Sequence, residues 1–467
     1  MKKRELLNLG VPQGAAISAA LAACRAAAQA GTSRAELHDV MVRLIAAPDE
    51  FLSDPLFGAL AKAISNPAED GEAASYTLQS DLRYAVWGDE IDPAAHEQMR
   101  NACQLPVTVA AALMPDAHVG YGIPIGGVLA TENAVIPYAV GVDIACRVKL
   151  TVFDLSADEL RRDERRFSKV LEEQTRFGVG GGWRGGERPE HDVMDRDWTV
   201  SAITNQNRDL AWKQLGTSGS GNHFVEFGEI DVQPNELGVP VGRRLAVVSH
   251  SGSRGTGAKV CDYYSKLAAS LHPRLPRELQ HLAWLPLDGA GAEYWSAMEL
   301  MGHYASANHA VIHRKIARAL DVPVVYQLEN HHNFAWKERH GGRELIVHRK
   351  GATPAGAGVL GYIPGSMTAP GYVVQGLGDP RSLDSASHGA GRCMSRTKTR
   401  NSTTWHAVRD MLKRSGVTLL SAGLDEAPVA YKDIARVMQA QRELVRAIAE
   451  FHPRLVKMAP EGERPED

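Results

Sequence analysis

The sequence predicts a protein of mixed α and β structure with a helical N-terminal segment. The first 75 residues or so are rich in alanine, and Leu37, Met41 and Leu44 recur there at helical spacing. From about Tyr84 the pattern changes, because strand-like apolar runs now end in glycine-rich polar turns and helices come between them. Periodicity alone therefore supports helices and strands in one chain, without choosing their topology.

The elements predicted after the N-terminal segment include three helices, at 157–175, 294–320 and 433–450. The first is heavily charged, with a run from Arg161 to Arg166 that is typical of a solvated helix face; an RNA-contacting face is the alternative. Asn66 to Gly71 has the composition of a linker. These features predict a helical extension of unknown role at 1–75, a core at 80–460 and a disordered tail at 461–467.

Composition limits the class of protein. Of 467 residues 44% are hydrophobic and 23% charged, which is typical of a globular protein and excludes a disordered, collagen-like or multi-span membrane chain. The 52 Lys and Arg residues nearly balance the 55 Asp and Glu residues, giving a net charge of -3. A strongly basic nucleic-acid coat is thereby excluded, but a local basic pocket is not.

The cysteines and the N-terminus indicate the compartment. The five cysteines are an odd number, are scattered and include no CxxC pair, so a reducing compartment is expected. Three basic residues precede an uncharged stretch from Leu6 to Cys24, which mimics a lipoprotein export signal. Asn8, Pro12 and Gln13 interrupt that stretch, however, and favour a turn followed by a helix. We therefore expect a cytoplasmic protein.

Several common enzyme motifs lack support. Two stretches, 180–185 and 356–361, satisfy the G-x-G-x-x-G pattern, but neither lies between an evident strand and an evident helix. The sequence contains no G-x-x-x-x-G-K-[ST] and no G-x-S-x-G. Dinucleotide-binding, P-loop and serine-hydrolase interpretations are therefore disfavoured.

Metal-ligand residues recur where apolar or glycine-rich runs end. Asp143 and Cys146 follow the strand-like run from Val135 to Val142, His223 follows a second run, His250 a third and His332 a fourth. Any one of these histidines alone is more often a structural residue, but five such side chains in one context predict a metal site. Carboxylate, thiolate and imidazole ligands suit manganese, iron, cobalt or zinc, and a thiolate can bridge two ions. Paired ions about 3.5–4 Å apart suit phosphoryl chemistry.

A second cluster surrounds His388. The ring is flanked by Gly389 and followed by Arg392 and Arg396, an arrangement that allows close approach of a phosphate. Imidazole can act as a nucleophile on phosphorus. The turn 363–367 is a candidate anion nest. Either segment alone is more often an ordinary loop.

Together these motifs resemble the RtcB family of GTP-dependent RNA-splicing ligases. The matching stretches, in order, are MPDAHVGYG, IPIGG, GVDIAC, GTSGSGNHFVEF, HSGSRG, HHNF, RKGA, IPGSM, SHGAGRCMSR and DEAPVAYKD. The resemblance covers about residues 80–460 and leaves 1–75 outside it. It implies an α+β fold, with mixed β-sheets around a dimetal site and outer helices.

The resemblance also implies a reaction. In this family a histidine, here matched by His388, attacks the α-phosphate of GTP and becomes covalently guanylylated. A 2′,3′-cyclic phosphate RNA end is opened to a 3′-phosphate, GMP is transferred to that phosphate, and a 5′-hydroxyl end displaces GMP to join the strands. The family uses two divalent ions, usually manganese, and sometimes a small protein partner, archease.

Site residues are carried over position by position. The family's metal ligands fall on Asp143, Cys146, His223, His250 and His332. Its guanylate-contacting positions fall on Asn222, Glu226, Asn333, Pro364, Gly365, Ser366, Met367, Gly389, Ala390 and Gly391. Lys457 is the best match for a lysine near the C-terminus that contacts guanine. The candidates for a basic pocket that receives RNA are Arg254, Arg392, Arg396, Lys398 and Arg400.

The chain departs from the family pattern at three positions. Ala145 and Arg147 replace the glycines that usually flank the bridging cysteine, and Gly371 replaces a serine. Arg147 would add a cation near the ions, either to bind substrate phosphate or to weaken ion binding. Two alternatives therefore stay open: a metal-dependent RNA-end phosphodiesterase or cyclic phosphatase without guanylylation, and a non-catalytic RNA-end-binding protein.

Overall fold

The fold is described from a computed structural model, which covers residues 3–12, 15–29, 31–65, 76–232, 237–239 and 241–464. The predicted linker and the last three residues of the predicted tail lie outside this part of the chain. The chain divides into two compact units, Met1–Thr77 and Leu78–Asp467.

The described helices and strands alternate along the second unit, whereas the first contains helices. The helices are α1 Lys3–Asn8, α2 Ala15–Gln29, α3 Arg34–Ala46, α4 Gly58–Ser65, α5 Pro93–Cys103, α6 Pro137–Val140, α7 Asp158–Arg162, α8 Glu164–Gln174, α9 Ala202–Gln206, α10 Arg208–Gln214, α11 Arg254–Leu271, α12 Ala290–Leu320, α13 Arg396–Ser402, α14 Trp405–Ser415 and α15 Ile434–Ala440. The strands are β1 Ala85–Val86, β2 Thr108–His118, β3 Ile125–Thr131, β4 Ala134–Val135, β5 Arg147–Ser156, β6 Phe224–Val232, β7 Gly242–Ser251, β8 Leu285–Pro286, β9 Val324–His331, β10 Asn333–His340, β11 Arg343–Lys350, β12 Ala352–Pro354, β13 Leu360–Ile363, β14 Gly371–Gly376, β15 Ser385–Ser387, β16 Thr418–Ser421 and β17 Val445–Met458.

The first unit has its own apolar core. Alternate turns of α2 and α3 bury residues such as Ala20, Cys24 and Met41 together with Leu60 of α4. The start of α3 is fixed by a capping box, in which Ser33 and Glu36 satisfy each other's main-chain N–H groups. Burial and capping therefore agree with the alanine-rich helical pattern of this segment.

The second unit is built on two sheets that are mainly antiparallel. The larger has the order β13-β14-β17-β6-β7-β5-β9, with β16 added beside β17, and the smaller has the order β1-β2-β3-β11-β10. Helices α8 and α12 cover one face of the larger sheet, where Phe167 and Ile312 pack against Phe227 and Val247. Antiparallel sheets with helices on one face confirm the α+β class.

The register of the larger sheet places the ends of four strands, β5, β6, β7 and β9, side by side at one end of the sheet. Arg147, at the start of β5, lies opposite Ser251 at the end of β7 and opposite His331 at the end of β9. Phe224, at the start of β6, lies opposite His250. Residues just outside these four ends therefore lie next to one another, although they are far apart in sequence.

Two sequence-based assignments differ from the structure. The run from Val135 to Val142 is not a strand, because it contains the end of β4 and the short helix α6. The predicted helix 433–450 ends at Ala440, and Val445–Met458 is the central strand β17. Alternate residues of this strand are buried against β6 and β14, so sheet pairing overrides the local helical pattern. The helix predicted at 294–320 is confirmed as the longer α12.

The predicted tail begins with ordered contacts. Trp405 Nε1–H donates to Glu461 Oε2 at 2.7 Å, and Ser220 Oγ–H donates to the carbonyl oxygen of Arg464 at 2.6 Å. Among the described helices, none is long and apolar enough to cross a membrane.

Candidate active site

A cavity of about 880 Å³ opens at the end of the larger sheet where the four strand ends lie side by side. Its volume is within the range of sites that bind nucleotide-sized ligands. It is lined by all the predicted catalytic, metal-binding and guanylate-contacting residues except Lys457, that is by Asp143, Cys146, Asn222, His223, Glu226, His250, His332, Asn333, Pro364–Met367, His388 and Gly389–Gly391. Residues predicted from separate motifs are therefore brought together in one place.

A thiol and three imidazoles form the centre of the cavity. Cys146 Sγ lies 3.1 Å from His250 Nε2 and 3.4 Å from His223 Nε2. His332 Nε2 lies 3.2 Å from His250 Nε2. All four side chains are buried. So many electron-pair donors at contact distance, with their lone pairs convergent, are typical of a metal site. We refer to Cys146, His223, His250 and His332 as the Cys–His cluster.

The orientation of two rings of the cluster is fixed from behind. His223 Nδ1–H donates to the Ser218 carbonyl at 2.9 Å, and His250 Nδ1–H donates to the Asn222 carbonyl at 3.2 Å. Each ring is thereby held in the tautomer whose Nε2 carries the lone pair and points inward. Burial holds the pKa of His250 well below its ordinary value, so this ring is neutral.

Asp143 completes the group. Its Oδ2 lies 3.1 Å from His223 Nε2, while its Oδ1 accepts the main-chain N–H of Ser253 at 3.0 Å. Burial alone would raise the pKa of this carboxyl, but His223 and Arg254 beside it bring the pKa below its ordinary value. A Cβ atom at Gly252 would lie 2.1 Å from Oδ2, so only glycine leaves room for the carboxylate.

His388 stands beside the cluster, its ring centroid 4.8 Å from that of His332. Its Nδ1 bonds to Asp116 Oδ2 at 2.7 Å, and its main-chain N–H donates to the same oxygen at 3.1 Å. The Gly389 N–H also donates to this oxygen, at 3.3 Å. The ring is thus held through Nδ1, which leaves Nε2 as the nitrogen available for attack.

Asp116 is a functional residue that sequence reasoning missed. It lies in the MPDAHVGYG stretch, is fully buried near the end of β2, and has Lys432 next to it, whose Nζ donates to the carbonyls of Pro115 and Ala117 at 2.9 Å. An acidic residue inside an otherwise apolar strand is the signal that could have identified it.

The predicted nucleotide-binding residues occupy the rest of the cavity wall. Burial raises the pKa of Glu226 to about 8, so its carboxyl can be protonated and donate a hydrogen bond. The amide of Asn333 is already engaged, since Nδ2–H donates to the Asp143 carbonyl at 3.2 Å and Oδ1 accepts the Gly351 N–H at 2.8 Å. Asn333 therefore holds the cavity wall together in this state.

Lys457 is not brought to the cavity. In β17 successive side chains point to opposite faces, so Val456 and Met458 line the cavity while Lys457 points away from it. Its Nζ donates to the Leu171 carbonyl at 3.0 Å and lies over the ring of Phe177. This placement disagrees with a guanine contact, because the side chain of Lys457 points to the face of β17 that lies away from the cavity.

The predicted basic pocket is balanced by acids. Arg392 and Arg396 line the cavity, and both pair with Glu426, Arg392 at 3.2 Å. Asp425 pairs with Arg396 at 2.9 Å and with Arg400 at 3.1 Å. The other three candidates, Arg254, Lys398 and Arg400, do not line the cavity, since Arg254 is buried and the other two are exposed outside it.

The departures from the family pattern have local explanations. Ala145 has a φ of 57°, the left-handed region that favours glycine. The guanidinium of Arg147 pairs with Glu329 at 2.9 Å, and Lys149 pairs with the same carboxylate at 3.2 Å. A Cβ atom at Gly371 would lie 2.0 Å from Tyr362 Oη, so the tyrosine occupies the space that a serine would need.

Comparison with known proteins agrees with these motifs. Residues 98–458 match the family described as tRNA-splicing ligase RtcB. The RNA-splicing ligase RtcB of Escherichia coli K12 is 33% identical over 403 residues, which cover 77% of this chain and 93% of the relative. The tRNA-splicing ligase RtcB of Nanoarchaeum equitans is 30% identical over 437 residues, covering 76% and 90%. The RNA-splicing ligase RtcB of Mycobacterium tuberculosis is 30% identical over 429 residues, covering 76% and 98%.

Proposed function

The chain belongs to the RtcB family of tRNA-splicing ligases, and we propose that it joins RNA 3′-phosphate or 2′,3′-cyclic phosphate ends to 5′-hydroxyl ends. The proposed reaction uses GTP and passes through a covalent histidine–GMP on His388. The proposed catalytic region is residues 80–460. The observation that carries the proposal is the hydrogen bond between His388 Nδ1 and Asp116 Oδ2. It leaves His388 Nε2 available beside the Cys–His cluster.

In this proposal His388 Nε2 forms a bond to the α-phosphorus of GTP, and pyrophosphate leaves with the electron pair of the broken P–O bond. Asp116 holds the ring in the required tautomer and stabilises the positive charge that develops on it. The main-chain N–H groups near Gly365 are suited to the phosphate oxygens of the nucleotide. Glu226, with its raised pKa, is suited to bind a polar base edge.

The Cys–His cluster and Asp143 are the residues that would hold two divalent ions, for which we propose Mn²⁺. Asp143 shows that these residues fit a cation. Its Oδ2 is buried, has no hydrogen-bond partner among the described residues and lies 3.1 Å from His223 Nε2, which carries a lone pair. An orphaned buried carboxylate oxygen beside a thiol and three imidazoles is costly unless a cation is bound. Bound ions would supply Lewis-acid chemistry, reducing the repulsion between phosphate groups.

The decisive experiment is incubation of the full chain with Mn²⁺ and α-labelled GTP. We expect a covalent label that survives denaturation and is absent in His388→Ala. The control is His406→Ala, which should retain the label because His406 is 88% exposed and does not line the cavity. Ion binding without a label would instead favour the phosphodiesterase or cyclic phosphatase. Absence of both ions and label would favour a non-catalytic RNA-end-binding protein.

A further inference from the structure

A second groove, separate from the cavity of the candidate active site, lies beside strand β16. It has a volume of about 750 Å³ and shares no lining residue with that cavity. It is lined by one side of α14 and by the segment 416–422, which contains β16, and Glu164 of α8 completes the lining. None of these residues therefore has a role in the proposed ligase reaction.

Strand β16 is paired on one edge only, within the part of the chain that the structure describes. Residues 418–421 run parallel to the end of β17, and no other described strand pairs with them. Alternate residues of a strand direct their main-chain N–H and C=O groups to opposite edges, so the outer edge of β16 carries main-chain groups without a strand partner. Such an edge is a template to which an extended peptide can be added as a further strand.

One side of α14 adds apolar and basic groups to this groove. Its lining residues Trp405, Arg409, Leu412 and Lys413 recur at spacings of three and four, so they share one side of the helix. Leu412 is buried, whereas Arg409 and Lys413 are exposed. Neither cation has an ion pair or a side-chain hydrogen bond among the described residues. The groove thus combines two unpaired positive charges with an apolar surface and a strand edge.

The carboxylates near the groove agree with an acidic occupant. Glu164 lines the groove, and its Oε2 accepts the hydroxyl hydrogen of Thr418 at 3.0 Å. Glu461, which is not part of the lining, accepts the ring N–H of Trp405 at 2.7 Å, so an acidic side chain is already bound at this side of α14. The charged groups of the lining are two cations and one carboxylate, which favours a negatively charged partner.

Two other occupants fit these observations less well. In a symmetric dimer the same patch meets itself, so Arg409 and Lys413 would be brought close to the same cations of the second copy. Single-stranded RNA is held by stacked bases, and Trp405, the one aromatic side chain among the described lining residues, already contacts Glu461. A peptide, in contrast, can use the strand edge and the cations together.

We propose that this groove binds an acidic, extended segment of a partner protein, which adds to β16 as a further strand. The main chain of the segment pairs with the outer edge of Thr418–Ser421, and its acidic side chains lie against Arg409 and Lys413. A strand of four residues is about 13 Å long, so about four to six residues of the partner make contact. The interaction does not depend on the proposed ligase reaction, because that reaction uses a separate cavity.

The first test measures, by fluorescence anisotropy, the binding of an end-capped peptide of alternating glutamate and leucine (ELELELE) to the full chain without GTP or RNA. We expect saturable binding that weakens as salt is added. The double variant Arg409→Glu and Lys413→Glu should raise the Kd by about 5- to 50-fold, because two attractive charge pairs become repulsive. The control is Arg318→Glu, an exposed cation of α12 outside the groove, which should leave the Kd unchanged.

The second test separates strand addition from charge attraction alone. Two versions of the peptide are N-methylated on one or the other alternating set of residues, which keeps every charge but removes the main-chain donors of that set. We expect one version to bind about tenfold or more weakly and the other to be affected less, because only one edge of an added strand faces β16. A benzophenone at the centre of the unmethylated peptide should crosslink to residues 405–422.

Each contrary outcome overturns the proposal. Lack of saturable binding by the wild type, or an unchanged Kd in a double variant whose melting temperature matches the wild type, would remove the acidic partner. Equal binding of the two methylated peptides and the unmethylated one, or crosslinking elsewhere, would remove strand addition. Displacement of the peptide by a single-stranded oligoribonucleotide would assign the groove to RNA, and displacement by self-association would assign it to a second copy. None of these results depends on the labelling experiment with GTP.

Discussion

This protein contains two sets of buried histidines that differ in the groups around their ring nitrogens. In the Cys–His cluster, each Nε2 faces other electron-pair donors, as His250 faces Cys146 and His332. Behind the larger sheet, both nitrogens of His309 and of His313 have protein partners, with Ser249 Oγ shared between them at 2.6 and 2.7 Å. A metal-binding histidine has an unprotonated nitrogen that faces other lone-pair donors. In a structural histidine, both nitrogens have hydrogen-bond partners in the protein.

His348 belongs to the structural set. Its Nε2 accepts the main-chain N–H of Ile136 at 2.9 Å, and its Nδ1–H donates to the Leu129 carbonyl at 3.1 Å. His388 is intermediate, because one nitrogen is held by Asp116 and the other is left available. The three situations predict three different consequences of substitution.

The largest effect should come from the cluster itself. Cys146→Ala removes the thiol that contacts two imidazoles, so we expect bound Mn²⁺ to fall and joining to drop by more than about a hundredfold. The melting temperature without added metal should match that of Cys261→Ala, a buried cysteine outside the cavity. Metal content by mass spectrometry and joining by gel assay check this. Normal joining by Cys146→Ala would remove the proposed metal role of the thiol.

The next effect concerns the held nitrogen of His388. Asp116→Asn keeps the shape of the side chain but removes the charge that fixes the ring, so adduct formation should slow by on the order of 10²- to 10⁴-fold. The exposed Asp288→Asn is the matched control. Single-turnover labelling with GTP measures the rate. A rate equal to that of the control would mean that the Asp116 bond is structural only.

These pairings explain which parts of the site the sequence can predict. His223 and His332 stand next to strand ends, and His250 is the last residue but one of β7, so their role could be inferred from motif positions. His309 and His313 are four residues apart on α12, a spacing that metal-binding helices also use, and only the three-dimensional partners show them to be structural. An acidic side chain in an apolar strand is a sequence signal for Asp116, but its role depends on His388, which lies 272 residues away in the sequence.

The fold shows the same division. The long helix α12 was predictable because its apolar period is local. Strand β17 was not, since residues 433–450 have a helical pattern and the strand is imposed by pairing with β6 and β14. The direction of Lys457 likewise follows from its position in β17 and could not be read from the motif.

The structural set makes a pH prediction. Burial lowers the pKa of His348 to about 4, whereas an unfolded chain takes up this proton near the ordinary value of about 6.5. Stability from this group is therefore complete above pH 6.5 and is lost as the pH falls toward 4. Between pH 7 and pH 5 the loss should be about 2 kcal/mol.

The measurement is urea unfolding at both pH values in the presence of a chelator. His348→Gln should be less stable than the wild type at pH 7 but should lose about 2 kcal/mol less between pH 7 and pH 5. The exposed His406→Gln should leave the pH dependence unchanged. An identical pH dependence in His348→Gln and the wild type would contradict a neutral buried ring.

The smallest effect tests whether strain is concentrated beside the cluster. Ala145 has a φ of 57° while its N–H donates to the Asn333 carbonyl at 2.6 Å, so the backbone next to Cys146 is held in a conformation that costs an alanine more than a glycine. Ala145→Gly should therefore stabilise the chain by about 1 kcal/mol, despite the greater freedom of glycine in the unfolded state.

The matched control is Ala317→Gly, which lies within α12 and should destabilise by about 1 kcal/mol. The free energy of unfolding of both variants is measured by urea unfolding in the presence of a chelator. An increase for Ala145→Gly and a decrease for Ala317→Gly would show that the turn beside the cluster is strained and that α12 is not. If both variants are destabilised, the turn at Ala145 stores no strain, and the orientation of Cys146 must depend on side-chain contacts alone.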